Sequence, residues 1–289
     1  SKARYRNIRV RPLPDTVAQP DTPAASTDAV ATQILDLAAR NYPMVDYHVH
    51  LKGDLDLNRA LAMSRHTGIF YGIAVNCGKG FPVENEAGAR AFFESLGGAP
   101  VFAAMQAEGR EWVDLFDRRT VGLFDYVFTD SMTWTDNRGK RMRMGIKEEL
   151  EIGDKQEFMD TLVARAVGIF ETEPVDLYVN PTYLPPEIAG EYEALWTPAR
   201  MQRVVDAAVK NGIAIEINGK SRLPSPAFLR LARAAGAKFS FGTNNRDADI
   251  GSLQYCLDMA RELKLTWKDM FIPKLEGRKP VQVRGLPGS

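Results

Sequence analysis

The chain holds three histidines, and two of them stand at His48 and His50 within "NYPMVDYHVHLKGD". Residues i and i+2 of an extended strand face the same side, so this pair can turn two imidazoles toward one metal ion. Asp46 falls on the same face by the same count. It is expected to order one ring through its second nitrogen, as carboxylates behind metal-bound histidines do. The third histidine, His66, sits in "AMSRHTG" at the end of a helical stretch. The helix dipole favours a cation there, and His66 is read as structural.

Positioning such a pair needs a rigid strand, and from Pro43 onward short apolar segments alternate with amphipathic ones. Strands are expected over 44–49, 69–75, 100–105, 124–129, 175–179, 213–217 and 237–241. They are near-continuously apolar and rich in β-branched and aromatic residues, as strands covered on both faces are. Several intervening helices close on glycine (Gly68, Gly97, Gly212, Gly236), and two open on Thr197-Pro198 and Ser225-Pro226, the usual stop and start chemistry. Seven strands alternating with helices imply parallel pairing and an α/β barrel. An open doubly wound sheet is the structural alternative. No glycine-rich phosphate loop follows the first strand, which argues against a nucleotide cofactor.

In such barrels the chemistry collects where the strands end. Those ends carry Asn76, Cys77 and Lys79; Gln106, Glu108 and Arg110; Asp130, Ser131 and Thr133; Asn180 and Thr182; Glu216, Asn218 and Lys220; and Thr243, Asn244, Asn245 and Arg246. Polar groups recur at every strand end, which implies one shared site.

Composition narrows the role. Lys+Arg and Asp+Glu both number 37 in 289 residues, without the basic excess that nucleic-acid or membrane-surface binding normally needs. Cys77 and Cys256 form no zinc or disulfide pattern. No apolar run approaches the ~20 residues of a membrane span, and no targeting segment is visible, so a soluble chain of unassigned compartment is expected. Residues 1–40 read as a basic arm, a Pro/Ala/Thr-rich linker and a leading helix; 41–272 as the barrel; 273–289 as an irregular tail. Oligomeric state is left open.

With these strand ends in view, the chain resembles the PHP (polymerase and histidinol phosphatase) family from about residue 42 to about 271. The stretches that carry the resemblance are "DYHVHL" and "IAIEINGKSRLPSPAFLRLARAAGAKFSFGTNNRDADIGSLQYCLDMARELKLTWKDMF". It implies a distorted (β/α)7 TIM-like barrel of the PHP type, here with an N-terminal extension. It also implies bound zinc, manganese or iron, up to three ions, and phosphoester hydrolysis. His48 and His50 match the family's first motif, and Glu108 its third-strand glutamate. The other ligand positions depart from the pattern. Val75-Asn76-Cys77 stands for "TDH", Thr133 for a histidine, Asn180-Pro181 for "HP", and Gly242-Thr243-Asn244-Asn245-Arg246 for "GSDAH". Neutral amides cannot offset several clustered divalent ions, so a multinuclear site is not expected.

What the resemblance then implies is a metal-dependent, phosphoesterase-like hydrolase holding one ion on His48, His50 and Glu108. Asp130 or Glu216 would be base or orienter, with Arg246 acting on the substrate. Lys79, Asn180, Asn218, Asn244 and Arg246 would hold a small anionic substrate. Cys77 is either a further thiolate or a core residue. Arg246 is equally readable as the ion-pair partner of Asp130, Asp247 or Asp249. The alternative is a catalytically inactive PHP-like barrel that binds a small ligand or serves as a structural module. The amidohydrolase superfamily also opens on His-x-His, but it needs later histidines that this chain lacks.

Overall fold

The structure is a computed structural model and describes residues 29–287. The basic arm and the linker lie outside the described residues. Among the described residues nine strands, numbered in chain order, form two sheets. Seven of them close into a barrel of parallel strands, in the order β1 (Val45–His50), β2 (Phe70–Cys77), β3 (Phe102–Ala107), β4 (Tyr126–Thr129), β7 (Leu177–Tyr178), β8 (Ala214–Asn218) and β9 (Phe239–Gly242). The chain is therefore a (β/α)7 TIM-like barrel, and closure rules out the open sheet. Each expected strand is present and starts one or two residues later than its apolar run does.

Side-chain alternation sorts the barrel into layers. Ala74, Ala104, Tyr126, Phe128, Leu177, Val179 and Ala214 pack together with Val45, Tyr47 and Phe271 inside the barrel. Their strand neighbours Ile73, Ala103, Met105, Val127, Tyr178, Ile213 and Ile215 belong to the larger core beneath the helices. The helices at 155–172 and 198–211 pack on each other over that outer face. Thr197 and Ser225 cap their helices as their types require, accepting from Arg200 N and Phe228 N. Gly68 and Gly212 close theirs in the left-handed conformation.

Two features depart from the sequence reading. After β4 the chain leaves the barrel and forms an antiparallel hairpin, β5 (Thr133–Thr135) and β6 (Arg141–Arg143). The tail also is not irregular throughout. A short helix runs over Pro280–Arg284, with Pro280 and Val281 buried, and Lys279 Nζ donates to Gly122 O at 2.6 Å. Proline at the first helical position allows that turn. Among the described residues no helix is long and apolar enough to cross a membrane.

One acid reinforces closure. β1 and β9 share a single register pair, Asp46 with Phe241. The fully buried Asp46 carboxylate reinforces it by accepting from Thr243 N (3.0 Å), Thr243 Oγ1 (2.7 Å), Gly251 N (3.0 Å) and His48 N (3.2 Å). Asp46→Ala would strand those donors where water cannot reach them, at 1–3 kcal/mol for each unsatisfied group. It is expected to lower stability by about 3 kcal/mol or more; a urea denaturation midpoint equal to that of the parent would contradict this.

Candidate active site

The register of β1 against β2 slips between Asp46 and Val49, a bulge that re-aims side chains. Tyr47 therefore packs on the interior rings of Tyr126 (5.4 Å) and Phe271 (5.3 Å), while its neighbour His48 lies over Phe128 (4.7 Å). Strict alternation fails at this point, and with it the expectation that Asp46 orders a histidine. Its carboxylate is spent on the β9 loop. Glu216 takes that role, accepting from His48 Nδ1 at 2.7 Å, with both side chains almost fully buried. Its other oxygen accepts from Asn180 N (2.9 Å) and Asn218 Nδ2 (3.3 Å). Gly242 makes room for this grip, since a Cβ there would meet Glu216 Oε1 at 2.1 Å and His48 Cβ at 2.9 Å.

His50 is held in the same manner by a carbonyl, with Nδ1 3.2 Å from Ala74 O. Its backbone is laced to the β9 loop by Asn245, which accepts from His50 N at 2.7 Å and donates to His50 O at 2.8 Å. Burial, then the neighbouring His48, pushes the His50 pKa well below the usual imidazole range. It is neutral at physiological pH and keeps a lone pair. The two rings lie 5.4 Å apart.

Two adjoining compartments open above these residues. One, of about 240 Å³, is lined by His50, Lys52, Asn76, Gln106, Glu108 and Asp130, with hairpin residues above them. The other, of about 360 Å³, is lined by Tyr183, Asn218, Lys220, Ser221, Arg246 and Asp247. Met132, Gly145, Asn180 and Asn244 line both. Glu108 Oε1 accepts from Asn76 Nδ2 (2.7 Å) and Gln106 Nε2 (2.9 Å). Asp130 accepts from Met132 N (2.8 Å) and Asn180 Nδ2 (3.2 Å). Asn244 Nδ2 in turn donates to Asn180 Oδ1 at 3.3 Å. Burial, and then the charge of Asp130, pushes the Glu108 carboxyl up to about 8. Burial likewise raises Asp130. Like charges this close disfavour double ionisation.

The strand-end residues are thus only partly brought together. His50, Glu108, Asp130, Asn180, Asn218, Asn244 and Arg246 line the two compartments, whereas His48 and Glu216 lie behind the wall. Lys79 does not join them. It lines a separate depression with Arg110, Glu111 and Arg141, because a strand end does not fix which way the following loop turns. Arg246 pairs with none of Asp130, Asp247 or Asp249; the last two go to Lys220 at 3.5 and 3.0 Å. Cys77 is a core thiol that burial pushes far up, so it offers no thiolate. Lys52, Tyr183 and the hairpin residues Met132, Arg143 and Gly145 were not anticipated. Lys52 follows the histidine pair by two positions, and that proximity was its only signal.

No protein-family model matches the sequence, and no curated protein matches it. Among solved structures the chain is similar to histidinol phosphate phosphatase from Lactococcus lactis, solved with zinc, L-histidinol and phosphate. The identity is 12% and the TM-score 0.53, covering 77% of this chain and 92% of that one. It also aligns with deoxyribose phosphate aldolase from Aeropyrum pernix at 10% identity and TM-score 0.38, covering 81% of this chain and 97% of that one. The likeness to the phosphatase is one of barrel fold.

Two buried atoms bear on a metal ion. His48 Nε2 and Gln106 Oε1 have no hydrogen-bond partner among the described residues. With Nδ1 donating to Glu216, His48 Nε2 carries a lone pair, the arrangement of a metal-ligating imidazole. His50 is likewise anchored through Nδ1. An imidazole held as His48 is can accept a metal ion. Among the described residues, however, no three His, Cys, Asp or Glu side chains are already gathered as a ligand set. Glu108 is turned to its amide donors instead.

The raised Glu108 has a sign that can be measured. Between its ordinary value of 4.5 and about 8, the folded protein keeps a proton that the unfolded chain has lost, so stability falls as pH rises through that window. Glu108→Gln is expected to flatten this slope in metal-free protein, measured as melting temperature against pH. A parent protein whose stability rises across the window would refute the assignment.

Proposed function

We propose that the chain is a metal-dependent hydrolase of the phosphoesterase kind, acting on a small anionic substrate in the two joined compartments. The observation that carries this reading is the buried, unpartnered His48 Nε2, whose ring is fixed from behind by Glu216. An uncompensated buried polar atom is costly, and a divalent ion held by His48, His50 and Glu108 would satisfy it. Zinc, manganese and iron all accept such a set. When bound, the ion would lower the pKa of a coordinated water to near ~7.

The chain's own residues do the rest. Glu216 fixes the tautomer of His48. Asp130 lines the cavity and has its carboxyl raised by burial, so it is placed to take up or return a proton as the ester opens. Glu216 has no access to the cavity and acts only through His48. Arg246 and the amides of Asn180 and Asn244 border the space for the anion. The barrel likeness to a phosphatase solved with zinc and phosphate agrees with this reading.

A second reading is favoured by the amides. Asn76, Gln106, Asn180 and Asn218 donate directly to Glu108, Asp130 and Glu216, so the carboxylates are satisfied without a cation. The barrel would then be an inactive ligand-binding or structural module.

Metal analysis separates the two. Protein purified without chelator or affinity-tag metal is expected to carry about one equivalent, lost in His48→Ala. Metal-free protein that takes up no zinc, manganese or iron would leave the binding-module reading standing. If the hydrolase reading holds, Asp130→Asn should lower kcat on a phosphate ester by roughly 10²–10⁴-fold while metal content is retained.

A further inference from the structure

We propose that Lys52 and Arg246 act together as a clamp for one dianionic phosphate group, held across the seam between the two compartments. Lys52 lines the smaller space and Arg246 the larger, and four shared residues join the two. Neither cation makes a hydrogen bond or an ion pair among the described residues. The other basic groups of the rim are neutralised. Lys220 lies against Asp247 and Asp249, and Arg143 against Glu149. Two cations left bare around one cavity, while their neighbours are paired, mark a place for an anion from outside.

The two are also held in place relative to each other. Lys52 follows His50 by two residues, and Arg246 follows Asn245 directly. The fully buried Asn245 side chain joins these loops, bonding the backbone of His50 on both its N–H and C=O and reaching Asp247 O at 2.7 Å. Partial burial disfavours the charge of Lys52, and Arg246 repels it. Two like charges in one another's field are relieved by an anion that meets both. A guanidinium offers a planar fork for two phosphate oxygens, and an ammonium offers a point charge for a third.

The consequence is selectivity by charge. A phosphate monoester, which carries two negative charges, engages both cations, whereas a diester with one charge and a blocked oxygen engages them poorly. The clamp deepens the hydrolase reading, but phosphate binding does not require turnover, so the two can fail separately.

The test is calorimetric titration of the full chain with inorganic phosphate and with dimethyl phosphate, at a mildly alkaline pH where phosphate is dianionic. Parent, Lys52→Met, Arg246→Met and His48→Ala proteins are compared. Phosphate is expected to bind the parent at least about tenfold more tightly than dimethyl phosphate does, and each clamp substitution to weaken it by about tenfold or more, the worth of a charge-assisted hydrogen bond. Retained phosphate binding in His48→Ala would support the clamp. Parent protein that binds no phosphate, or Lys52→Met protein that binds it like the parent, would overturn it. So would binding lost in His48→Ala alone, since the metal site would then be the phosphate holder. Both clamp side chains are solvent-facing, and matching melting temperatures would verify that these variants fold.

Discussion

The grip of the Glu216 carboxylate on His48 is the constraint around which the mouth of the barrel is organised. One buried acid on β8 reaches the imidazole of β1, the backbone of Asn180 after β7 and the amide of Asn218 on its own strand. Its two oxygens thus join strands that lie on either side of β8 and β9. The contact depends on Gly242, because any side chain there would occupy the space of the carboxylate. Removing Glu216 would free a ring, a backbone N–H and an amide at once, in a region buried from solvent.

Above this grip the site has an uneven charge plan. Its floor is acidic and crowded, and Glu108 and Asp130 are relieved mainly by side-chain amides and backbone N–H groups. Its rim is cationic and sparse. Side-chain amides meet these carboxylates directly, while the buried His48 Nε2 has no partner among the described residues. These two facts pull toward different functions, and metal content decides between them more directly than any activity screen.

Much of the architecture was legible because its causes are local. Continuous apolar runs such as "IFYGIAV" and "IAIEI" mark strands covered on both faces, and Thr197-Pro198 and Ser225-Pro226 state their own helix starts. The bulge in β1 was not legible, because nothing in "VDYHV" distinguishes a regular strand from one that slips. Asp46 was consequently assigned to a histidine when it belongs to barrel closure. The direction of the loop bearing Lys79 was hidden for a related reason: its Phe81 meets Arg141, a residue far off in sequence, at 4.8 Å. The hairpin had an available signal. Asp136-Asn137-Arg138-Gly139 is turn chemistry between short alternating segments, and Gly139 adopts the positive φ of 79° that such turns use. The pairing of Asn76 with Glu108 and of Asn180 with Asp130 is a matter of three-dimensional neighbours, whereas Gln106–Glu108 and Glu216–Asn218 stand two residues apart, the same-face spacing of a strand.

That hairpin has an evolutionary implication. β5 and β6 pair only with each other, and the excursion is moored by Arg165 lying 3.6 Å over the ring of Trp134 and by the Arg143–Glu149 ion pair. It supplies Met132, Met144, Gly145 and Ile146 to the cavity without adding a rung to the barrel ladder. Its length and composition can therefore drift at little risk to folding, and the shape of the chamber drifts with them. Descendants of this chain could change what they admit while leaving the strands beneath untouched.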